Sequence, residues 1–337
     1  MAHPAAGTGS GGLAQRSAQH SSGQQPRGAM PDLTISIVTH NSRELVLACL
    51  DSLAGTAAEI VVLDNASEDG AAEAVRERFP DVRLIVQPQR AGFGANHNTV
   101  IRTTSSRYVC LLNADTTAVD WGFDRMVAYL DGHPRVAAVG PKLVYPDGQD
   151  QVSAWRFPTP LVNVLGLLTL NLAGVRQSPG GRPRAVGWVM GAALLLRRAA
   201  LDEVGLFDED FFLYTEEVDL QFRLHRAGWK VHYFPEVTVV HHESQLGALM
   251  PERRINEMWR SAHRYWRKHH SRAGARVAAL CLGTQCVVRA LLTLTVRRDR
   301  AAAKRLWLNA RNTWRVAGPG LRELAEEWNR RAASPSR

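Results

Sequence analysis

From Leu33 onward, short apolar runs rich in branched residues alternate with stretches whose apolar positions recur at helical spacing. Leu33–Thr39, Glu59–Leu63, Arg83–Val86 and Tyr108–Leu112 have the length and composition of buried strands, and helices are expected near 43–53, 69–79 and 119–131. Strand and helix in strict alternation predict an α/β core, a mainly parallel sheet covered by helices on both faces. A second segment, about 140–245, holds another buried run, Val186–Leu196, then an acidic turn and helix. It closes with a strand-like Lys230–Val240 that runs into His241-His242. The Gly/Pro/Arg-rich stretch 174–185 predicts a mobile surface loop. Residues 1–29 lack the apolar core of a secretory signal and are expected to be disordered, with Met30 a candidate start.

Polar clusters follow three of the strands: Thr39-His40-Asn41-Ser42, Asp64-Asn65-Ala66-Ser67 and Asn113-Ala114-Asp115-Thr116. In an open α/β sheet, ligands sit beyond the carboxyl ends of the strands, so a site is expected where these clusters converge. Each cluster has a simpler reading as well, because Asp and Asn also build turns and cap helices. The segment Ala91-Gly92-Phe93-Gly94-Ala95-Asn96 combines glycines with a helix start, which suits either an anion or a tight turn.

Charge divides the chain. The net formal charge is +9, yet residues 251–337 carry 20 Lys/Arg against 6 Asp/Glu, leaving an acidic-leaning body of 21 against 26. Composition, 45% hydrophobic and 22% charged, excludes a disordered or fibrous chain. Four cysteines without a framework or zinc spacing point to a reducing compartment.

Taken together, Ser36–Asn41, Val62–Ser67, Gly92–Asn96, Leu112–Thr116 and Glu216-Glu217-Val218-Asp219-Leu220 resemble the family-2 glycosyltransferases of GT-A fold, over about residues 33–245. Trp155–Pro160, Val186-Gly187-Trp188, Gly205–Glu209 and His241 are similar to the bacterial rhamnosyltransferase branch acting on lipid-linked cell-wall or polysaccharide precursors. The resemblance implies a domain over 30–250, with a nucleotide-binding half about 30–140 and an acceptor half about 141–250. It also implies a nucleotide-diphosphate sugar donor bound around Thr39, Asn41, Asp64, Asn65, Gly92, Phe93, Gly94, Asn96, Asn113 and Asp115. Asp64 would meet a uracil or thymine ring. Asp115, assisted by His241 rather than His242, would hold Mg²⁺ or Mn²⁺, a hard ion that leaves coordination places for phosphate oxygens.

Glu217 matches the family position that removes the acceptor proton, although relatives usually carry Asp there. Glu216 and Asp219 are candidate partners, and with Arg223 they share one helical side while Glu217 stands apart. A single base favours direct displacement with inversion. Trp155, Arg156 and Trp188 are candidate acceptor contacts, and the apolar segment Pro158–Val175 would face either a lipid or the core. The expected reaction moves rhamnose from dTDP-rhamnose to a polyprenyl-diphosphate-linked saccharide at the cytoplasmic face of the membrane.

The tail, 251–337, mixes Arg253, Arg254, Trp259, Arg260, Tyr265, Trp266 and Arg267 with an apolar stretch Val277–Val296. Gly283, Gln285 and Arg289 interrupt that stretch, so a helix lying in an anionic membrane surface is expected in preference to a span. An ordinary helical subdomain is the simpler reading. Two other functions stay open at this point: a sugar nucleotidyltransferase, disfavoured because 39–42 has no Gly-rich basic loop for a triphosphate, and a non-catalytic membrane or nucleic-acid binder. No nucleic-acid partner is expected for the transferase.

Overall fold

The computed structural model describes residues 32–334 apart from 120–121, 170–175, 179, 244–249 and 317. The extension 1–29, Met30, and Leu170 and Leu172 of the apolar segment lie outside the described residues. The first half builds as its pattern requires: β1 (Leu33–Thr39), α1 (Arg43–Ser52), β2 (Glu59–Asp64), α2 (Ala71–Arg78), β3 (Arg83–Val86), α3 (Phe93–Arg102) and β4 (Tyr108–Asn113). These four strands are parallel, in the order β3-β2-β1-β4. Both faces are covered, so both sets of alternating side chains are apolar. Cys110 and Leu112 face a core with α1, α2 and α4, whereas Val109 and Leu111 face a second core with α6 and α7, whose ranges follow.

The second half runs β5 (Thr116–Ala118), α4 (Phe123–Gly132), β6 (Val136–Val144), β7 (Asp150–Gln151), β8 (Ala154–Trp155), α5 (Pro160–Leu168), β9 (Arg184–Val186), β10 (Trp188–Val189), β11 (Ala193–Arg197), α6 (Arg198–Val204), α7 (Glu216–Arg226) and β12 (Lys230–His241). The sheet continues β4-β11-β6-β12-β5, making it mixed: β11 lies antiparallel between β4 and β6, and β6 pairs parallel with β12. The buried run Val186–Leu196 is therefore not one element. It breaks at Gly187 and Gly191 into parts of three strands, and β10 leaves the main sheet to pair with β8.

The tail folds as α8 (Pro251–His269), α9 (Arg272–Leu292), a π-helical turn (Thr293–Arg297), α10 (Arg300–Trp314) and α11 (Leu321–Ala333). Trp259, Tyr265 and Trp266 of α8 are buried with Phe157, Phe211 and Val218 in a core of their own, which fixes α8 to α7. The polar interruptions of the apolar stretch are absorbed in the same way. Gly283 lets Thr313 and Trp314 of α10 approach closely, and buried Gln285 donates to the Asn163 carbonyl of α5. Arg289 is exposed. The other faces of α5, α9 and α10 leave Leu161, Leu165, Leu168, Leu280, Leu291 and Trp307 exposed.

Candidate active site

The sheet delivers Asp115 and His241 to one place. β4 ends at Asn113, whose N–H donates to the Ala192 carbonyl. The chain then turns through Ala114-Asp115 into β5, which pairs antiparallel with the end of β12 so that Thr116 faces His241. His241 Nε2 lies 3.4 Å from Asp115 Oδ1. The other ring nitrogen, Nδ1, is 2.9 Å from Gln151 Oε1 of β7. A carboxamide oxygen only accepts, so Nδ1 is the donor in that contact and Nε2 is the ring nitrogen turned toward Asp115. His242 is turned away, bonded to Thr117.

This donor set fits a divalent ion. One carboxylate and one imidazole, the latter oriented by a second partner, leave positions for diphosphate oxygens. Among the described residues no group of three or more His, Cys, Asp or Glu could hold a metal, so an ion at this pair would take its further ligands from water or substrate. Sequence reasoning missed Gln151, because a two-residue strand ninety positions from its histidine leaves no local trace.

At the ends of β1 and β2, Thr39 and Asp64 are register partners. Asp64 Oδ1 accepts from the Ser67 N–H at 2.9 Å and so caps the turn. Its Oδ2 and the Thr39 hydroxyl are shut off from solvent and have no hydrogen-bond partner among the described residues. Turn-building and an unmet acceptor thus coexist in one carboxylate. The neighbouring asparagines are committed to the chain. Asn41, at φ 48°, accepts from the Glu68 N–H, and Asn65 bonds both backbone groups of Ala91.

The glycines of 91–96 serve a different purpose from the expected one. A Cβ on Gly92 would lie 2.5 Å from the Phe212 carbonyl, and one on Gly94 would lie 2.8 Å from Phe207 Cβ. The Phe93 N–H is spent on Phe212 O, and Asn96 is buried against Gln87 and Ala91. The close approach is therefore between loop and loop, and it fixes the segment that leads into α7. The Phe93 ring and Glu217 both border Gly191: a Cβ built there would lie 3.5 Å from Phe93 Cζ and 3.7 Å from Glu217 Cβ. Since Asn113 bonds to Ala192, the next residue, Glu217 stands at the same end of the sheet as the Asp115 turn.

The chain enters α7 through Tyr214 and Thr215, both left-handed at φ 67° and 71°. Such strain in non-glycine residues is held by surrounding contacts, here Arg254 on the Tyr214 hydroxyl at 2.6 Å. Glu217 follows with an Oε2 that is enclosed and unpartnered among the described residues, and desolvation raises its pKa to about 7. Glu216 is pushed well above the usual carboxylate range by burial, by Glu217 and by Glu257. Asp219 departs from the expected catalytic group. It is wholly buried but held by Arg223 at 2.9 Å, Lys268 at 2.8 Å and His269 at 2.6 Å; against the opposing effect of burial, the His269 hydrogen bond and the Lys268 and Arg223 charges bring its pKa down to about 2. Asp219 is an ion-pair hub joining α7 to α8.

On the acceptor side, Trp155 and Trp188 stack with centroids 4.3 Å apart, and the Gln221 amide bonds both backbone groups of Val189 beside them. Arg156 lines an adjoining hollow of about 340 Å³ with Val162, Gly187 and His225.

A family model described as "Glycosyltransferase like family 2" matches residues 31–268. The chain is 32% identical over 285 residues to the N-acetylglucosaminyl-diphospho-decaprenol L-rhamnosyltransferase of Mycobacterium tuberculosis, covering 76% of this chain and 91% of that protein. It is 28% identical to the pre-mycofactocin glycosyltransferase of the same organism, over 64% of this chain and 44% of the relative. Among solved structures, the fold is similar to a mannosyltransferase from Pyrobaculum calidifontis in complex with GDP-Man and Mn²⁺, at a TM-score of 0.55 and 20% identity, covering 86% and 89% of the two chains. The chain belongs to glycosyltransferase family 2, with a GT-A-like fold, and is a glycosyltransferase of the branch that holds the mycobacterial decaprenol-linked rhamnosyltransferase.

Proposed function

We propose that the protein is an inverting, divalent-metal-dependent glycosyltransferase that moves rhamnose from dTDP-rhamnose to a polyprenyl-diphosphate-linked saccharide. The observation that carries this reading is the Asp115–His241 pair, oriented by Gln151, at the same end of the sheet as a glutamate whose pKa is about 7. Asp64 Oδ2 and Thr39 Oγ1 offer hydrogen-bond capacity to the base and ribose. Asp115 and His241 would hold Mg²⁺ or Mn²⁺, which supplies charge neutralisation at the departing diphosphate. Glu217, half ionised near pH 7, takes the proton of the acceptor hydroxyl as that oxygen bonds the anomeric carbon. The bond from that carbon to the diphosphate breaks on the opposite face, so the configuration inverts.

Trp155 and Trp188 present an aromatic surface to the acceptor sugar, and Arg156, which lines the adjoining hollow, would meet its phosphate. The exposed apolar side chains of α5, α9 and α10 would rest in the cytoplasmic leaflet. Residues 272–316 surround them with ten Lys/Arg and a single Asp299, which favours anionic headgroups. Residues 272–297 are also long and apolar enough to cross a membrane, but a third of the most apolar window is buried in the protein and Arg289 lies within the segment, which supports the lying arrangement.

The test is turnover of dTDP-rhamnose with a synthetic polyprenyl-diphosphate N-acetylglucosamine acceptor and Mn²⁺ or Mg²⁺. Chelation should abolish it, and Asp115→Asn should lower kcat by about 10²–10³-fold, the several kcal/mol that charge neutralisation contributes. Retention of full turnover by Asp115→Asn would remove the metal site; a product of retained configuration would remove the single-displacement mechanism.

A further inference from the structure

The last helix, α11, returns to the donor half and takes hold of the loop between β3 and α3. Two consecutive residues of that loop are each gripped on both backbone groups by an asparagine side chain. The Arg90 N–H donates to Asn329 Oδ1 at 2.7 Å, and its carbonyl accepts from Asn329 Nδ2 at 3.0 Å. The Ala91 N–H donates to Asn65 Oδ1 at 2.8 Å, and its carbonyl accepts from Asn65 Nδ2 at 3.1 Å. Backbone polar groups of successive extended residues point to opposite sides, so the two carboxamides flank the loop as neighbouring strands would.

Trp328 adds a second grip. Its ring lies under the Arg90 guanidinium, 4.1 Å from centroid to Cζ, and its Nε1–H donates to Glu68 Oε2 at 3.1 Å. Arg90 reaches the same carboxylate oxygen at 2.5 Å. Glu68 belongs to the turn after Asp64, and its own N–H is held by Asn41. The bonds to Asn65 and Glu68 end within a few residues of Asp64, the carboxylate with an unmet oxygen, and the Asn329 bonds reach that turn through Arg90. His40 belongs to the same neighbourhood: its Nδ1 is 2.9 Å from the Asn65 carbonyl, and it feels the charges of Arg90, Asp64 and Asp69.

We propose that Trp328 and Asn329 are positioning residues of the donor site. Gripping residues 90–91 from the outer side, they hold Asn65 and the Asp64–Glu68 turn in the arrangement that receives a nucleoside diphosphate. The tail thus completes the donor site as well as packing on the acceptor half. This inference rests on the nucleotide-sugar reading given above.

The experiment titrates the full chain with dTDP and with UDP in the presence of Mn²⁺ by calorimetry, then measures donor KM, acceptor KM and kcat. Asn329→Ala and Trp328→Ala should each weaken nucleotide binding about tenfold, the loss of one to two net hydrogen bonds, and raise donor KM by the same factor. Acceptor KM should stay constant and kcat at saturating donor should stay within about twofold. Trp328→Phe, which keeps the stacking, should recover part of the affinity. Glu68→Gln should give a smaller loss without removing packing, and it decides the matter if the alanine variants do not fold. If the unaltered chain binds nucleotide and the variants bind it equally well, the positioning role is overturned while the donor reading stands. Losses shared equally by donor and acceptor assign α11 to general folding and also overturn it. If the unaltered chain binds neither nucleotide, the donor reading fails and the positioning role with it.

Discussion

The two sides of the first turn of α7 put similar carboxylates in opposite states. Glu217 and Asp219 are two residues apart and both sit at the helix end whose dipole favours anions; Asp219 is wholly buried, and Glu217 is half-buried with its Oε2 enclosed. The dipole is common to both and cannot separate them. Asp219 meets two cations, Arg223 and Lys268, and the His269 ring, and its pKa falls to about 2; Glu217 meets no cation among the described residues and rises to about 7. Partner charge, more than depth of burial, decides whether a buried acid serves structure or chemistry. Side chains two residues apart on a helix point about 200° away from each other, which lets one turn do both.

Removing the chemical side should have the largest effect. Glu217→Gln is expected to lower kcat about 10²–10⁴-fold, the usual contribution of a general base, with no fall in melting temperature. The active form is the carboxylate. For the unaltered enzyme, log(kcat/KM) should therefore climb with unit slope below pH 7 and level off above it. Activity that is flat from pH 5 to 8 would separate Glu217 from the reaction.

Removing the structural side should come next. Asp219→Ala leaves Arg223 and Lys268 without their counter-charge and His269 without its hydrogen-bond partner, a loss on the order of 3–5 kcal/mol in urea unfolding. The pH sign follows from the depressed pKa. The stability that Asp219 contributes is complete above its unfolded value of 3.8 and disappears as pH falls through about 2. The gap between unaltered and variant chains should accordingly narrow in that acid window. At temperatures well below its melting point, the variant should lose far less turnover than Glu217→Gln; a loss of the same size would return Asp219 to the catalytic group.

How much of this contrast could be read in advance depends on how far each interaction reaches along the chain. Local periodicity was enough for β1 and β3, whose limits coincide with the expected ones, and for the separation of Glu217 from Glu216 and Asp219. Asp115 and His241 were legible only through resemblance, because their meeting depends on β5, a three-residue strand that crosses to β12. Asp64 and Asn65 carry the same signal whether they bind a ligand or build a turn, and the structure divides them: Asn65 is used up on Ala91, while Asp64 keeps one oxygen free of partners among the described residues. The antiparallel insertion of β11 has no local mark, since a strand buried on both faces reads alike in either direction. The contacts of Asn329 and Trp328 with residues 90 and 68 span well over 200 positions, and nothing in the tail's charge or periodicity foretells them.

The smallest effect concerns Glu216, which belongs to neither side. Its carboxyl is buried, and burial together with the charge of Glu217 and of Glu257 raises its pKa well above the usual carboxylate range. A carboxyl whose folded pKa is raised contributes stability on the acid side and loses it as pH rises toward that folded value. Glu216→Gln removes the group and with it the cost of ionising a buried acid. Its melting temperature should exceed that of the unaltered chain by about 2 °C at pH 8 and match it at pH 5. With Glu217 as the base, a neutral glutamine at position 216 should leave the midpoint of the activity profile near pH 7. A midpoint displaced downward by a full unit would mean that Glu216 ionises first, and the two glutamates would then exchange roles in the account of catalysis.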